Sequence, residues 1–166
     1  VKADVLKKMG LDTEFITFVP VDFNSEDWHE KLISNGFDSD KKTLFLWEGV
    51  TLYLEEAEVR KTLQRISDIS APGSILALDL YSLSFVELAA KRGGGVYKNT
   101  TGETFGFGLD FATDPQNRVK ELLDDVNLQI SQIHLCGDER EGKEFRDHKV
   151  SFTKEEIKIF IKKLCS

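Results

Sequence analysis

Cysteine is nearly absent. Cys136 and Cys165 are the two thiols, and no C-x-x-C spacing exists, so neither a disulfide framework nor a zinc ribbon organises this chain. Both read as free thiols in a reducing, cytoplasmic compartment. Positive charge is in deficit: 22 Lys and Arg face 29 Asp and Glu, giving a net charge of −7 and a pI near 5.0. Nucleic acid and anionic membrane surfaces are thereby disfavoured as partners, because both reward clustered cations. No apolar run approaches the roughly 18 residues of a bilayer span. Proline occurs three times, at Pro20, Pro72 and Pro115, and each falls where an element is expected to begin or end. Internal repeats and low-complexity tails are also lacking. No signal peptide is visible; residue 1 is Val, and the chain opens within a helical pattern. The start of a longer protein is therefore expected to precede it.

What is present is a core-forming sequence of 166 residues with 40% hydrophobic content, enough for one domain over 1–166. Its most informative stretch runs from Thr43 to Leu54. An apolar strand stops at Glu48, turns at Gly49 and enters a helix. Open α/β sheets bind ligands at the carboxyl ends of their strands. An acid there is costly to bury unless paired, so a cationic group is expected opposite Glu48.

The remaining pattern alternates. Helices are expected over Ala3–Met9, around Trp28, Leu32 and Ile33, over Glu55–Ser70, over Ser84–Lys91, and from Asp114-Pro115 through Val126. Asn24 or Ser25 is the expected cap of the second of these. Strands are expected at Phe15–Val21, Thr43–Trp47, Ser74–Leu80 and Leu128–Cys136, with a short last one at Val150–Phe152. Thr153 is expected to cap a final amphipathic helix with Ile157, Phe160, Ile161 and Leu164 inward. Such alternation predicts an α/β fold with a mostly parallel sheet and helices on both faces.

Several motifs together carry a resemblance. They are Val19-Pro20-Val21-Asp22-Phe23, Trp28, Gly36-Phe37-Asp38, Glu48-Gly49-Val50-Thr51 with Tyr53-Leu54, Ala71-Pro72-Gly73-Ser74, and Gly102-Glu103 with Phe105-Gly106-Phe107-Gly108. In this order and spacing the chain resembles the leucine carboxyl methyltransferase-like family of S-adenosylmethionine (SAM) dependent methyltransferases, from about Val1 to Ile130. The resemblance implies a Rossmann-like class I methyltransferase fold with SAM across the carboxyl ends of the strands. Asp22 and Phe23 fall on the family's Asp-Leu pair, which meets the adenine. Glu48, followed by Gly49, falls on the acid that faces the methionine ammonium. Tyr53 matches an aromatic on the acceptor side. The implied acceptor is a small molecule or a carboxylate.

In-line transfer from a sulfonium needs chiefly alignment of donor and acceptor. A carboxylate acceptor needs no general base, and none is assigned. The family's glycine-rich loop and its ribose-binding acid fall before Val1, so the first two strands are expected to be missing. Gly93-Gly94-Gly95 follows a helix and reads as a loop, not a substitute. A sheet lacking those strands exposes an apolar edge and invites self-association. A non-catalytic remnant or interaction module is the alternative.

Plainer roles stand beside these. Asp22 suits a turn or helix cap, Glu48 a helix entry favoured by the dipole, and Tyr53 core packing. Asp79, near the end of its strand, reads as structural. His29, His134 and His148 are scattered, and His134 with Cys136 is too few ligands for a metal, so none is expected.

Overall fold

The computed structural model describes residues 2–22, 26–93, 105–135 and 156–163. The chain falls into two compact units, Val1–Ser39 and Asp40–Ser166.

The first unit contains two short helices. Helix α1 spans Lys2–Lys8 and α2 spans Trp28–Ser34. Asp27 occupies the N-cap position of α2, in place of the expected Asn24 or Ser25, which lie outside the described residues. Gly36 ends α2 at φ +94°, where the Phe37 N–H donates to the Leu32 carbonyl at 3.0 Å. A left-handed glycine that lets the chain fold back on the last turn is a standard helix stop. The strand expected over Phe15–Val21 does not form. Its local backbone bond is a turn, Ile16 N–H to the Thr13 carbonyl at 3.0 Å, and Phe15 is 82% exposed. Aromatic and β-branched composition favours a strand only when a neighbour completes the ladder.

The second unit is built on a βαβ unit. Strand β1 (Leu44–Trp47) leads through a 3₁₀ turn (Thr51–Tyr53) into helix α3 (Glu56–Ile69), then strand β2 (Ile75–Tyr81). The two strands are parallel, with Leu44 opposite Ile75 and Trp47 opposite Leu78. Helix α4 (Leu83–Gly93), helix α5 (Pro115–Leu123), strand β3 (Leu128–Leu135) and strand β4 (Glu156–Lys163) follow. The described sheet has the order β1-β2-β4-β3. The α/β class is as expected, and β4 makes the sheet mixed, because it runs antiparallel to both β2 and β3.

Strand β4 corrects the final amphipathic helix expected from Thr153. Ile157, Ile159 and Ile161 alternate with Lys158, Phe160 and Lys162, a period of two that β-branched residues favour. The deciding factor is the slot between β2 and β3: a chain there completes two ladders at once, whereas a helix would leave both unpaired. The expected strand at Val150–Phe152 lies outside the described residues, as does most of the Gly93–Gly95 loop.

The core centres on β2. Leu76, Ala77, Leu78, Asp79 and Leu80 are all buried, so both faces of this strand are covered, as its uninterrupted apolar run demands. Helix α3 contributes Val59, Leu63, Ile66 and Ile69 at helical spacing, whereas Ala57 stays exposed. Helix α5 opens at Asp114, whose side chain accepts the Asn117 N–H at 3.1 Å, with Pro115 in the first turn. It buries Val119, Leu122 and Leu123. Arg60 of α3 donates to the Glu121 and Leu122 carbonyls at 3.3 and 3.1 Å, fastening α3 to the end of α5 where carbonyls lack helical partners. Among the described residues, no helix is long and apolar enough to cross a membrane.

Leu63 is fully buried, so Leu63→Ala is expected to destabilise the fold by roughly 2–5 kcal/mol. Ala57→Ser on the exposed side of α3 should stay within about 0.5 kcal/mol of the parent. Urea unfolding of both variants checks the assignment of α3's inward face.

Candidate functional site

Strands β1 and β2 end side by side, and the residues that follow them converge. Trp47 pairs with Leu78, which brings Glu48 level with Asp79. The chain then turns at Gly49, whose φ of +74° lies in the left-handed region that glycine enters without steric cost. Nothing lies within 4 Å of where a Gly49 Cβ would point, so open space stands over the turn.

Asp79 holds that turn. The Gly49 N–H donates to both carboxylate oxygens, at 3.0 Å to Oδ1 and 2.9 Å to Oδ2. The Tyr81 hydroxyl donates to Oδ2 at 3.2 Å. The Thr51 hydroxyl, itself buried, donates to the Asp79 carbonyl at 2.9 Å. Asp79 is only 2% exposed. Burial pushes its carboxyl above the usual range, against the hydrogen bonds from Gly49 and Tyr81, and the Glu48 charge pushes the same way. Burial therefore outweighs the donors here.

The segment Phe105–Leu109 crosses the same end of the sheet. The Gly106 N–H donates to the Leu52 carbonyl at 2.8 Å, and the Leu109 N–H donates to the Tyr81 carbonyl at 2.9 Å. In return the Leu83 N–H donates to the Leu109 carbonyl at 2.8 Å. Ser82 and Leu109 form an isolated parallel bridge. A Cβ on Gly106 would lie 2.7 Å from the Leu54 carbonyl oxygen, and one on Gly108 would lie 2.8 Å from the Leu83 Cα. Both glycines are thus required by close backbone approach, while Phe107 between them is buried. Phe105 meets Tyr53, ring centroids 5.3 Å apart and tilted by 43°. Tyr53 remains 40% exposed, so its ring borders the site instead of filling the core.

Glu48, Gly49 and Tyr53 are therefore gathered at one sheet end, within the second unit. Asp22 belongs to the first unit, at a turn before α2. Its N–H donates to Glu26 Oε2 at 2.9 Å, and its carbonyl accepts the Glu26 N–H at 2.8 Å. The bond from the Asp22 backbone, and then Lys31 at 2.6 Å, hold the Glu26 carboxyl below the usual range. Phe23 lies outside the described residues. The structural reading of Asp79 agrees with its burial and its bonds to Gly49 and Tyr81; what the sequence left out is its partner, and the usable signal was an acid embedded in the apolar run Leu76–Leu80. Thr51 and Tyr81 left no such signal, since their roles depend on where Asp79 lies.

One group has spacing compatible with a metal among the described residues. The ligand atoms of Asp27, His29 and Glu30 all lie within 4.8 Å of one another. It sits on the first turn of α2, where carboxylates are favoured by the helix dipole without any ion. Cys136, two residues beyond His134 in the sequence, lies outside the described residues.

Residues 1–67 match the family model described as leucine carboxyl methyltransferase. Over those residues the chain is leucine carboxyl methyltransferase-like. The similarity extends further in curated relatives. A protein of Mycobacterium bovis named "Putative S-adenosyl-L-methionine-dependent methyltransferase" is 29% identical over 140 residues, covering 81% of this chain and 44% of that protein. Another of the same description, also from Mycobacterium bovis, is 31% identical over 129 residues, covering 74% of this chain and 42% of its own length. The chain thus spans under half the length of these relatives. Among solved structures, a SAM-dependent methyltransferase of Methanosarcina mazei aligns at 17% identity and a TM-score of 0.47, covering 78% of this chain and 62% of that one. The fold assignment rests instead on the strand order and register given above.

The raised Asp79 carboxyl has a pH consequence. The folded state holds this proton more tightly than the unfolded chain, so the stability it confers is full below the ordinary value of 3.8 and is lost as pH rises through the raised value. Asp79→Asn cannot titrate. The stability of the parent relative to Asp79→Asn should therefore decline as pH rises from 3.8, measured by urea unfolding across an acid-to-neutral series. A relative stability that grows with pH would mean that the hydrogen bonds outweigh burial.

Proposed function

We propose that this chain belongs to a SAM-dependent methyltransferase that transfers a methyl group to an oxygen of a small molecule or a carboxylate. The observation that carries the reading is the exposed Glu48 acid beside the open Gly49 turn, held at the carboxyl end of β1 by Asp79. That is where α/β sheets receive ligands. An acid next to unfilled space suits the ammonium of the methionine part, and a second acid beneath it deepens the negative field. The names of the mycobacterial relatives point to the same cofactor.

When bound, SAM supplies an electrophilic methyl group on a sulfonium. The residues of this chain bind and orient. Glu48 takes the ammonium and Gly49 leaves room for close approach; the family resemblance alone assigns Asp22 with Phe23 to the adenine. Tyr53 and Phe105 form an aromatic border facing the acceptor. Orientation supplies most of the rate in such a displacement, and a carboxylate acceptor requires no base from the protein. The two scattered cysteines favour a cytoplasmic setting.

Titration of the protein from its complete reading frame with S-adenosylhomocysteine tests the reading. Glu48→Gln should weaken binding about tenfold or more, as loss of a charge-assisted hydrogen bond does, and Asp22→Ala should weaken it severalfold. Unchanged affinity in Glu48→Gln would sink the assignment of the ammonium site.

The second reading, an interaction module that associates with its own copies, is favoured by one observation. Strand β1 ends the described sheet, and its Leu44 and Leu46 are 66% and 70% exposed. Apolar edge strands template pairing with other chains, and lysine on an edge opposes it. Sedimentation of this chain should then show a dimer that Leu46→Lys converts to monomer. A parent that sediments as a monomer rejects this reading.

A further inference from the structure

We infer that Asp79 is a positioning residue of this site: its carboxylate fixes the Glu48–Gly49 turn and thereby aims Glu48 at the cofactor ammonium. The inference rests on the methyltransferase reading given above and assigns a role to a residue outside the expected binding set.

Four observations converge on it. First, Asp79 and Gly49 are 30 residues apart, yet the Gly49 N–H is shared between both oxygens of one carboxylate, at 3.0 and 2.9 Å. A bifurcated bond to a rigid carboxylate restrains the N–H in direction as well as distance. Second, Gly49 is the residue that most needs restraint. At φ +74°, with no side chain to pack, a glycine samples many backbone states, and each would swing the preceding Glu48 elsewhere. Third, Asp79 is itself held. The Tyr81 hydroxyl bonds Oδ2 at 3.2 Å, and the Tyr81 ring stacks on Phe85 at 5.7 Å. The Thr51 hydroxyl binds the Asp79 carbonyl, closing the far side of the same turn. Fourth, the position carries an energetic cost. An acid 2% exposed within Leu76–Leu80 is less stable there than an apolar residue of similar size, unless its hydrogen bonds are needed.

The geometry divides the work between two acids. Asp79 lies within the strand, buried, and spends its hydrogen-bonding capacity on the protein. Glu48 lies one step beyond the strand end, exposed, and directs its charge outward. A purely structural Asp79 would set the stability of the sheet, and any effect of its loss on ligand affinity would be the same with or without the Glu48 charge. A positioning Asp79 acts through Glu48, so its effect must vanish once Glu48 has lost its charge.

A double-mutant cycle on the protein from its complete reading frame separates these cases, read by S-adenosylhomocysteine affinity with a thermal melt as control. Asp79→Asn should weaken binding about fivefold or more in the parent and by less than about twofold in a Glu48→Gln background, the signature of coupled residues. Asp79→Asn should still shift the melting temperature in the Glu48→Gln background, where its effect on binding is lost. Tyr81→Phe keeps the carboxylate and the ring stack, and should give a smaller loss with the same dependence on Glu48; it carries the test if Asp79→Asn fails to fold. Equal losses in both backgrounds, or no loss, overturn the inference while leaving the methyltransferase reading intact. Failure of the parent itself to bind overturns that reading and this inference with it.

Discussion

The bond between the Asp79 carboxylate and the Gly49 N–H is the constraint on which the rest of the site depends. It ties the end of β1 to the end of β2 at the point where both strands finish. Without it the left-handed glycine after Glu48 would be fixed only from further along the chain, by the Thr51 and Leu52 bonds. With it, Glu48 faces out, Thr51 turns in against the Asp79 carbonyl, and the 3₁₀ turn delivers Tyr53 to the rim.

The crossing segment Phe105–Leu109 is a second layer on that foundation. It bonds Leu52 after β1 and Tyr81 at the end of β2, so it bridges the two loops that Asp79 has already joined. Gly106 and Gly108 allow the approach, and the buried Phe107 anchors it. The motif Phe-Gly-Phe-Gly thus has a packing explanation at every position: glycine where backbone meets backbone, one aromatic inward, the other against Tyr53.

Much of this was legible in advance, for identifiable reasons. Strands β1, β2 and β3 and helices α3 and α5 carry strong periodicity, and they lie within a residue or two of expectation, apart from the later end expected for α5. Glu48, Gly49 and Tyr53 fall together because one short turn links them, and local order fixes what local chemistry can. The losses were non-local. Phe15–Val21 has strand composition without a ladder, and Glu156–Lys163 fits a helix or a strand until its neighbours are known. Asp79 was visible as an acid in an apolar run, but its partner lies 30 residues earlier, and nothing in either segment names the other.

The sequence by itself determined the α/β class, the extents of α3 and of the strands β1 and β2 to within a residue or two, the acid-and-glycine turn after β1 and the resemblance that points to SAM. These follow from hydrophobic period, capping residues and glycine's freedom, all of which act over a few positions. The tertiary structure alone decided that the last described strand inserts between β2 and β3, antiparallel to both, and that the buried Asp79 carboxylate accepts the Gly49 N–H of the turn after β1. Those outcomes depend on which backbone groups find partners once distant segments meet, and hydrogen-bond satisfaction across a sheet is a property of the assembled whole.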